Sequence, residues 1–419
     1  MIPELGWLRS VITGRFFLRA GLFGLAAVLL ALVAAPIGGL FPGLGEWVDE
    51  PSIRDLLEVI ASNMLLVATF SLGTMVAAYT AASRTASPRA TKVLIDDPIS
   101  QNVLSTFVGA FVFAIIGLVG LSFGVYGEGG RVLLVIAASL VVLLVIVTLF
   151  GWIDYLANLV RLGAVLNKVE AAAAEAMKGR NGAPHLGARP AGRAPVAGHA
   201  VRVEETGYIT RIDLDCLDRI AARHGGRVRV SALPGAFVGR AVPVAAATFR
   251  PSPEEAAELA RAFTVTAERS IDQDPRYGLI VLTEVASRAL SSGVNDFGTA
   301  ISVIGRLQRL LTLWADAPQE GPEIHFPNVE APGIDVRDLA EDAFGPLARD
   351  GARLVEVGIR LQKALAALAG LGRPDLAEAA LRQSERALAQ AEDALVLASD
   401  RDEIARLAAG VADAAGARP

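Results

Sequence analysis

A single cysteine, Cys216, in a chain of 419 residues rules out an internal disulfide, and a lone thiol suits a reducing compartment. Histidine is almost as scarce. His185, His199, His224 and His325 are the full set, and no two stand at metal-ligand spacing, so neither a metal nor a cofactor is expected. The signatures of familiar enzymes are missing as well. There is no Gly-x-Ser-x-Gly elbow, phosphate-binding loop, dinucleotide fingerprint or HExxH, and no enzyme activity is expected. A net charge of −5 is mild and argues against a nucleic-acid partner.

Charge itself is absent from four long windows: 20–45, 59–83, 99–127 and 132–153. Hydrophobic residues make up 53 % of the chain, above the roughly 45–50 % of soluble proteins. A bilayer core needs about 20 apolar residues as a helix, and inside lipid a helix satisfies its own backbone. The windows therefore predict four transmembrane helices, at about 16–36, 58–81, 100–124 and 132–154, within a membrane domain of residues 1–160. Arg9, Arg15 and Arg19 precede the first span. Arg84, Arg89 and Lys92 lie between the second and third, and Arg161, Lys168, Lys178 and Arg180 follow the fourth. The first connection is acidic, with Glu46, Asp49, Glu50, Asp55 and Glu58 against Arg54. This alternation places both termini in the cytoplasm, the protein being multi-pass in the membrane. A cleaved signal peptide is the rival reading of the first span, but about 19 residues of lead-in are long for one.

Inside the spans the polar signals are few. Asn63 is the most polar interior residue, beside Ser62, with Thr69, Ser71 and Thr74 farther on. No charge lies mid-span, which disfavours a proton-coupled transporter but not a channel. Gly109, Gly117, Gly120 and Gly124 fall near one face of the third span. Two readings stand: close packing within the unit, or a subunit contact around a pore. Between the second and third spans, Ser87-Pro88 starts a short amphipathic helix. Its Arg89 and Lys92, with Arg84 before it, would meet anionic headgroups or, alternatively, a phosphate.

The remainder reads as a cytoplasmic α+β region. Residues 161–198 are a helix extension followed by a flexible basic linker, which takes in His185 and His199. Residues 199–250 form a small β-rich module opening on a hairpin that turns near Gly207. A helical domain, 251–419, follows. Its first helix starts at Ser252-Pro253-Glu254-Glu255 and runs to about Ser270, the next two run from Pro275 to Leu290 and from Asp296 past Trp314, and 321–333 holds one strand. Later breaks are expected at Gly345-Pro346, Gly372 to Pro374 and Ser399-Asp400. The fold class is thus a four-helix membrane protein with a small β-rich module and then a helical domain.

Three stretches carry a resemblance: SRTASPRATKVLIDDPISQNVLSTFVGAFVFAI, GYITRIDLDCLDRIA with LPGAFVGRAVPV, and RSIDQDPRYGLIVLTEVASRALSSGVNDFGTA. Together, in this order, they resemble the uncharacterised bacterial membrane proteins grouped as domain of unknown function 2254. The resemblance implies four spans and a cytoplasmic C-terminal half, and it supplies no catalytic residues. Ser292 and Phe297 stand where the family pattern tends to proline, so a looser turn is expected here.

The polar residues of that last stretch raise the question of a site. Asp272 and Asp274 lie at one end of a helix, and Arg288, Asn295, Asp296 and Thr299 at the other, about 20 Å away at 1.5 Å per residue. Helix capping by Asp274 and Asp296 accounts for most of them. The alternative is a site built across subunits, bringing Asp272 and Asp296 together around a cation or polar ligand. The functional expectation is a homo-oligomeric protein of channel or transport type with a regulatory cytoplasmic domain. The second expectation is a membrane-anchored scaffold or sensor for an unidentified cytoplasmic partner, and the last is a membrane enzyme.

Overall fold

The computed structural model describes residues 49–416 apart from 96–97, 160, 193–197 and 317–322, with six further positions between 21 and 29. The expected first span, 16–36, therefore lies largely outside the described residues. The chain divides into two compact units, Met1–Val165 and Leu166–Pro419.

In the first unit α1 is Glu50–Thr85, α2 Pro88–Ile95, α3 Pro98–Ser122 and α4 Glu128–Leu159. Three of these are long and apolar enough to cross a membrane, over Glu50–Ser83, Ile99–Ser122 and Gly129–Ala157. Helix α1 begins nine residues before its charge-free window, because charge does not stop a helix: Pro51 stands in its first turn, and Glu50 pairs with Arg131 of α4 at 2.6 Å. The core between α1, α3 and α4 holds Leu57, Phe107, Ala110, Ala114, Leu134 and Ala138, all fully buried. Phe70, Leu140, Val147 and Phe150 face outward. An apolar core inside an equally apolar surface is what lipid as a solvent allows. Helix α2 starts as expected, the Ser87 hydroxyl accepting the Ala90 N–H at 3.1 Å ahead of Pro88.

The second unit continues helix α5, Leu162–Gly182, and then departs from the expectation of a flexible linker. Residues 183–187 turn, and β1, Ala188–Pro190, joins a sheet. Composition alone misleads at this point: the ladder partner of β1 lies more than 130 residues away. His185 and His199 accordingly take part in the fold. The His185 ring lies 2.9 Å from the Ala331 carbonyl, and His199 pairs with Ala247.

The further strands are β2 His199–Val201, β3 Gly207–Ile212, β4 Val228–Val230, β5 Phe237–Val238, β6 Ala245–Ala247, β7 Phe263–Thr266 and β8 Phe326–Ala331. They form a five-stranded sheet, β1-β8-β4-β6-β2, and a three-stranded one, β5-β3-β7. The expected hairpin does not form, since β2 and β3 belong to different sheets. The helix expected to reach Ser270 is α7, Pro253–Arg261. Its capping box is intact, but the β-branched run Thr264-Val265-Thr266 then pairs antiparallel with β3. Strands β7 and β8 thus complete the β module from beyond residue 250, so the expected boundary there is not a structural one. Helix α6, Leu214–Arg223, packs on β8 and buries Leu217 and Ile220 with Ile209 and Leu259.

The rest is helical: α8 Pro275–Ala289, α9 Phe297–Ala315, α10 Val336–Asp350, α11 Val355–Ala369, α12 Pro374–Ala394 and α13 Ala398–Gly416. The break expected at Gly345-Pro346 is absent, and Pro346 stands inside α10. A break comes instead at 351–354, where Gly351 packs against Val357.

Candidate functional site

The stretch between α8 and α9 is a tight reversal. The Asn295 N–H donates to the Ser291 carbonyl at 2.9 Å, and the Asp296 N–H to the Ala289 carbonyl at 2.8 Å. Asn295 has φ 51°, a left-handed conformation that asparagine tolerates better than most residues. The looser turn expected from the missing prolines is not found. Asp296 caps α9, accepting from the Thr299 N–H at 3.0 Å and the Thr299 hydroxyl at 2.6 Å. These bonds to Thr299 hold its carboxyl below the ordinary range. The Arg288 carbonyl accepts the Ser291 hydroxyl at 2.6 Å. Residues 291–298 are all exposed. Asp296→Ala is expected to destabilise the second unit by about 1 kcal/mol, read by thermal melting.

The other end of α8 is different. Asp274 is 2 % exposed and caps α8, its carboxylate accepting the Tyr277 N–H at 3.3 Å. It also accepts Arg269 Nε at 2.9 Å and Nη2 at 2.6 Å, and the Arg269 guanidinium lies 5.0 Å from the Tyr277 ring. Gly235 closes over the pair at φ +95°, where a Cβ would fall 2.2 Å from Asp274 Oδ2. Pro234-Gly235 is a turn with the Ala236 N–H on the Leu233 carbonyl at 3.0 Å, and only glycine suits its third position. Arg180, from the end of α5, is 4 % exposed. Its Nη2 donates to the Gln273 carbonyl at 2.8 Å, while Nη1 has no hydrogen-bond partner among the described residues. Burial pushes the Asp274 carboxyl up, against the pull of Arg269. Burial lowers the Arg180 guanidinium to about 10, against the attraction of Asp274, so it stays cationic at neutral pH. Asp272, by contrast, is exposed and accepts the Ser270 hydroxyl at 2.9 Å.

Sequence reasoning found Asp272, Gln273 and Asp274 but missed Arg180, Arg269 and Gly235. In the sequence Arg180 reads only as one of the orienting basic residues ahead of the expected linker. The Pro234-Gly235 pair was the one local signal available. Beside this cluster opens a cleft of about 450 Å³, lined by Arg180, Gln273, Arg211, Asp213, Asp215 and Asp272 over an apolar floor. The structure does not join Asp272 to Asp296 within the chain, since they lie at opposite ends of α8.

In the first unit Gly109 is buried, and Gly117 and Gly120 are packing positions against their own chain. A Cβ on Gly117 would lie 3.2 Å from Leu57, and one on Gly120 2.7 Å from the Tyr126 ring. Gly124 leaves the expected stripe. It lies beyond the end of α3 at φ +66° with nothing within 4 Å. Asn63 is exposed on α1, its amide donating to the Val59 carbonyl at 2.8 Å. Arg89 and Lys92 are exposed on α2; the Arg84 side chain lies outside what is described.

Carboxylates elsewhere in the second unit are held by arginines. Against the upward push of burial, Arg309 and Arg306 hold Glu170 below the ordinary 4.5, and Arg229 and Arg227 do the same for Glu330. Gln383, with Arg386, lowers Glu341. For such groups the unfolded chain binds more protons as pH falls, so their stabilisation is complete above about 4.5 and is lost below it. Asp274, shifted upward, works against this trend. The melting temperature of the second unit is expected to be level from pH 7 to about 5.5 and to fall steeply below about 4.5, with a smaller acid loss in Glu170→Gln. Among the described residues no three or more His, Cys, Asp or Glu are placed to hold a metal ion.

The chain is 23 % identical over 306 residues to the uncharacterized protein Rv1290c of Mycobacterium tuberculosis, covering 69 % of this chain and 58 % of that protein. The uncharacterized protein Mb1321c of Mycobacterium bovis matches with the same identity and coverage. The chain thus spans somewhat over half the length of these relatives. No solved structure matches it. The profile of the family described as "Predicted membrane protein (DUF2254)" matches residues 13–367.

Proposed function

This chain belongs to the DUF2254 family of predicted membrane proteins, and from that premise we propose a homo-oligomer of channel or transport type, regulated by its second unit. In this reading it spans the bacterial inner membrane several times with both termini in the cytoplasm. The orientation rests on the basic residues around α2 and after α4. The observation that carries the functional reading is the outer face of α1. Ser62, Thr69, Gly73 and Thr80 fall on one line down the helix, flanked by Asn63, and all are exposed. The hydroxyls bond back to their own helix, Ser62 to the Glu58 carbonyl, Thr69 to Leu65 and Thr80 to Val76, each at 2.8 Å. The Asn63 amide makes one such bond and keeps further hydrogen-bonding capacity that lipid does not meet. An uncharged polar line turned away from its own core fits a second copy of α1 or a water path.

The test is the purified full chain reconstituted in proteoliposomes, with potassium, chloride and a small anionic dye as probes. Flux above protein-free vesicles, reduced by Asn63→Leu, is expected. No flux of any probe, in either direction of the imposed gradient, would sink the reading. A second reading, a membrane-anchored sensor, is supported by the cleft beside Arg180.

A further inference from the structure

We infer that the cleft beside Arg180 binds a small zwitterion, an α-amino carboxylate with an apolar side chain. The inference does not depend on the channel reading. Three features of the cleft combine. The first is a cation in need of an anion. Arg180 lines the cleft while almost wholly buried, and the nearby Asp274 carboxylate is already engaged by Arg269. Arg180 Nη1 has no hydrogen-bond partner among the described residues, and the half-buried Arg269 holds the one buried carboxylate nearby. A buried charge without full compensation is costly unless something supplies the opposite charge.

The second feature is the rim, which argues against a simple anion. Asp213, Asp215 and Asp272 line the same space and are exposed, with Arg211 among them. Asp213 spends one oxygen capping α6, on the Cys216 N–H at 3.0 Å, and Asp215 lies 3.6 Å from Arg219. A phosphate or sulfate attracted to Arg180 would be repelled by three carboxylates. A bare cation drawn to those carboxylates would be repelled by Arg180 and Arg211. A molecule with a carboxylate and an ammonium a few bonds apart satisfies both ends, the carboxylate answering the guanidinium charge.

The third feature is the floor. Leu186 and Phe326, with Ala176 and Ala183, give the cleft an apolar side. Its volume of about 450 Å³ lies within the range of small-molecule sites, roughly 300–1,000 Å³. Leu186 is held at φ 59°, one of two non-glycine residues with positive φ among those described. A leucine in that region is strained, and strain of this kind collects at sites that position a side chain for a task.

The experiment is calorimetry and thermal melting of the full chain in detergent with L-phenylalanine and L-leucine. Phenylpropionate and potassium phosphate test the anion alone, and phenethylamine the cation alone. The expected result is binding of both amino acids, with the single-charge probes at least tenfold weaker. Asp272→Asn, a change at an exposed position that the fold survives, is expected to weaken amino-acid binding at least tenfold, and Arg180→Gln to abolish it. Phosphate or phenylpropionate binding as tightly as phenylalanine would reduce the cleft to an anion site and overturn the inference. So would no binding of either amino acid, or unchanged binding in Asp272→Asn. Flux does not enter this readout, so loss of either claim leaves the other standing.

Discussion

Replacing Asp274 by alanine is expected to destabilise the second unit by about 3–5 kcal/mol, the largest effect of any single polar substitution proposed. The carboxylate is 2 % exposed, accepts two N–H groups of Arg269 and caps α8. Burial offsets much of what the pairing contributes, so the pair as a whole adds little over two apolar residues. Removing one partner is another matter, because the buried Arg180 and the half-buried Arg269 would both lose the carboxylate beside them. Trp314, the single tryptophan of 166–419, reports the transition by fluorescence. A fall in melting temperature on the order of 10 °C is expected, and a smaller one for Asp274→Asn, which keeps the cap acceptor. An alanine variant that melts with the parent would show that the buried pair does not form.

Gly278→Leu is expected to cost about 3 kcal/mol or more. Helices α5 and α8 cross where a Cβ on Gly278 would fall 2.4 Å from the Ala173 Cβ, closer than any real contact. The helices must part or tilt to admit a side chain. In an unconstrained helix, Gly→Ala would instead stabilise by about 1 kcal/mol, so the sign of the alanine variant is itself informative. Gly278→Ala is expected to destabilise, and Ala173→Gly in the same chain to recover part of the loss, a non-additivity that only a direct contact produces. Denaturant titration of the four chains measures it. A stabilising Gly278→Ala would contradict the close crossing.

The sequence was legible wherever a local rule decides the outcome. Three of the four charge-free windows became α1, α3 and α4, because hydropathy over about 20 residues is a long signal; the first lies largely outside the described residues. Ser87-Pro88, Ser252-Pro253, Asp274-Pro275 and Asp296 start helices, because a cap and a fixed φ act within one turn. What failed depended on distant partners. Strand β1 lies in a Gly- and Pro-rich basic run that reads as a linker, and it is ordered by β8. Thr264-Val265-Thr266 reads as the end of a helix until β3 is placed beside it. The same holds for the candidate site. Asp274 was visible as a cap, but Arg269, Arg180 and the Gly235 turn reach it from three separate elements. Asn63 was visible as a polar residue in an apolar window, while its exposure required the packing of α1 against α3.

The proposed topology, a membrane-embedded first unit with the second unit in the cytoplasm, is addressed most directly by labelling. In a Cys216→Ser background, single cysteines replace Gly127, exposed between α3 and α4, and Val294, exposed between α8 and α9. Intact spheroplasts are treated with a membrane-impermeant maleimide. The prediction is rapid labelling at 127, and labelling at 294 only after permeabilisation. Labelling at 294 in sealed spheroplasts, or at 127 only once they are opened, would contradict it.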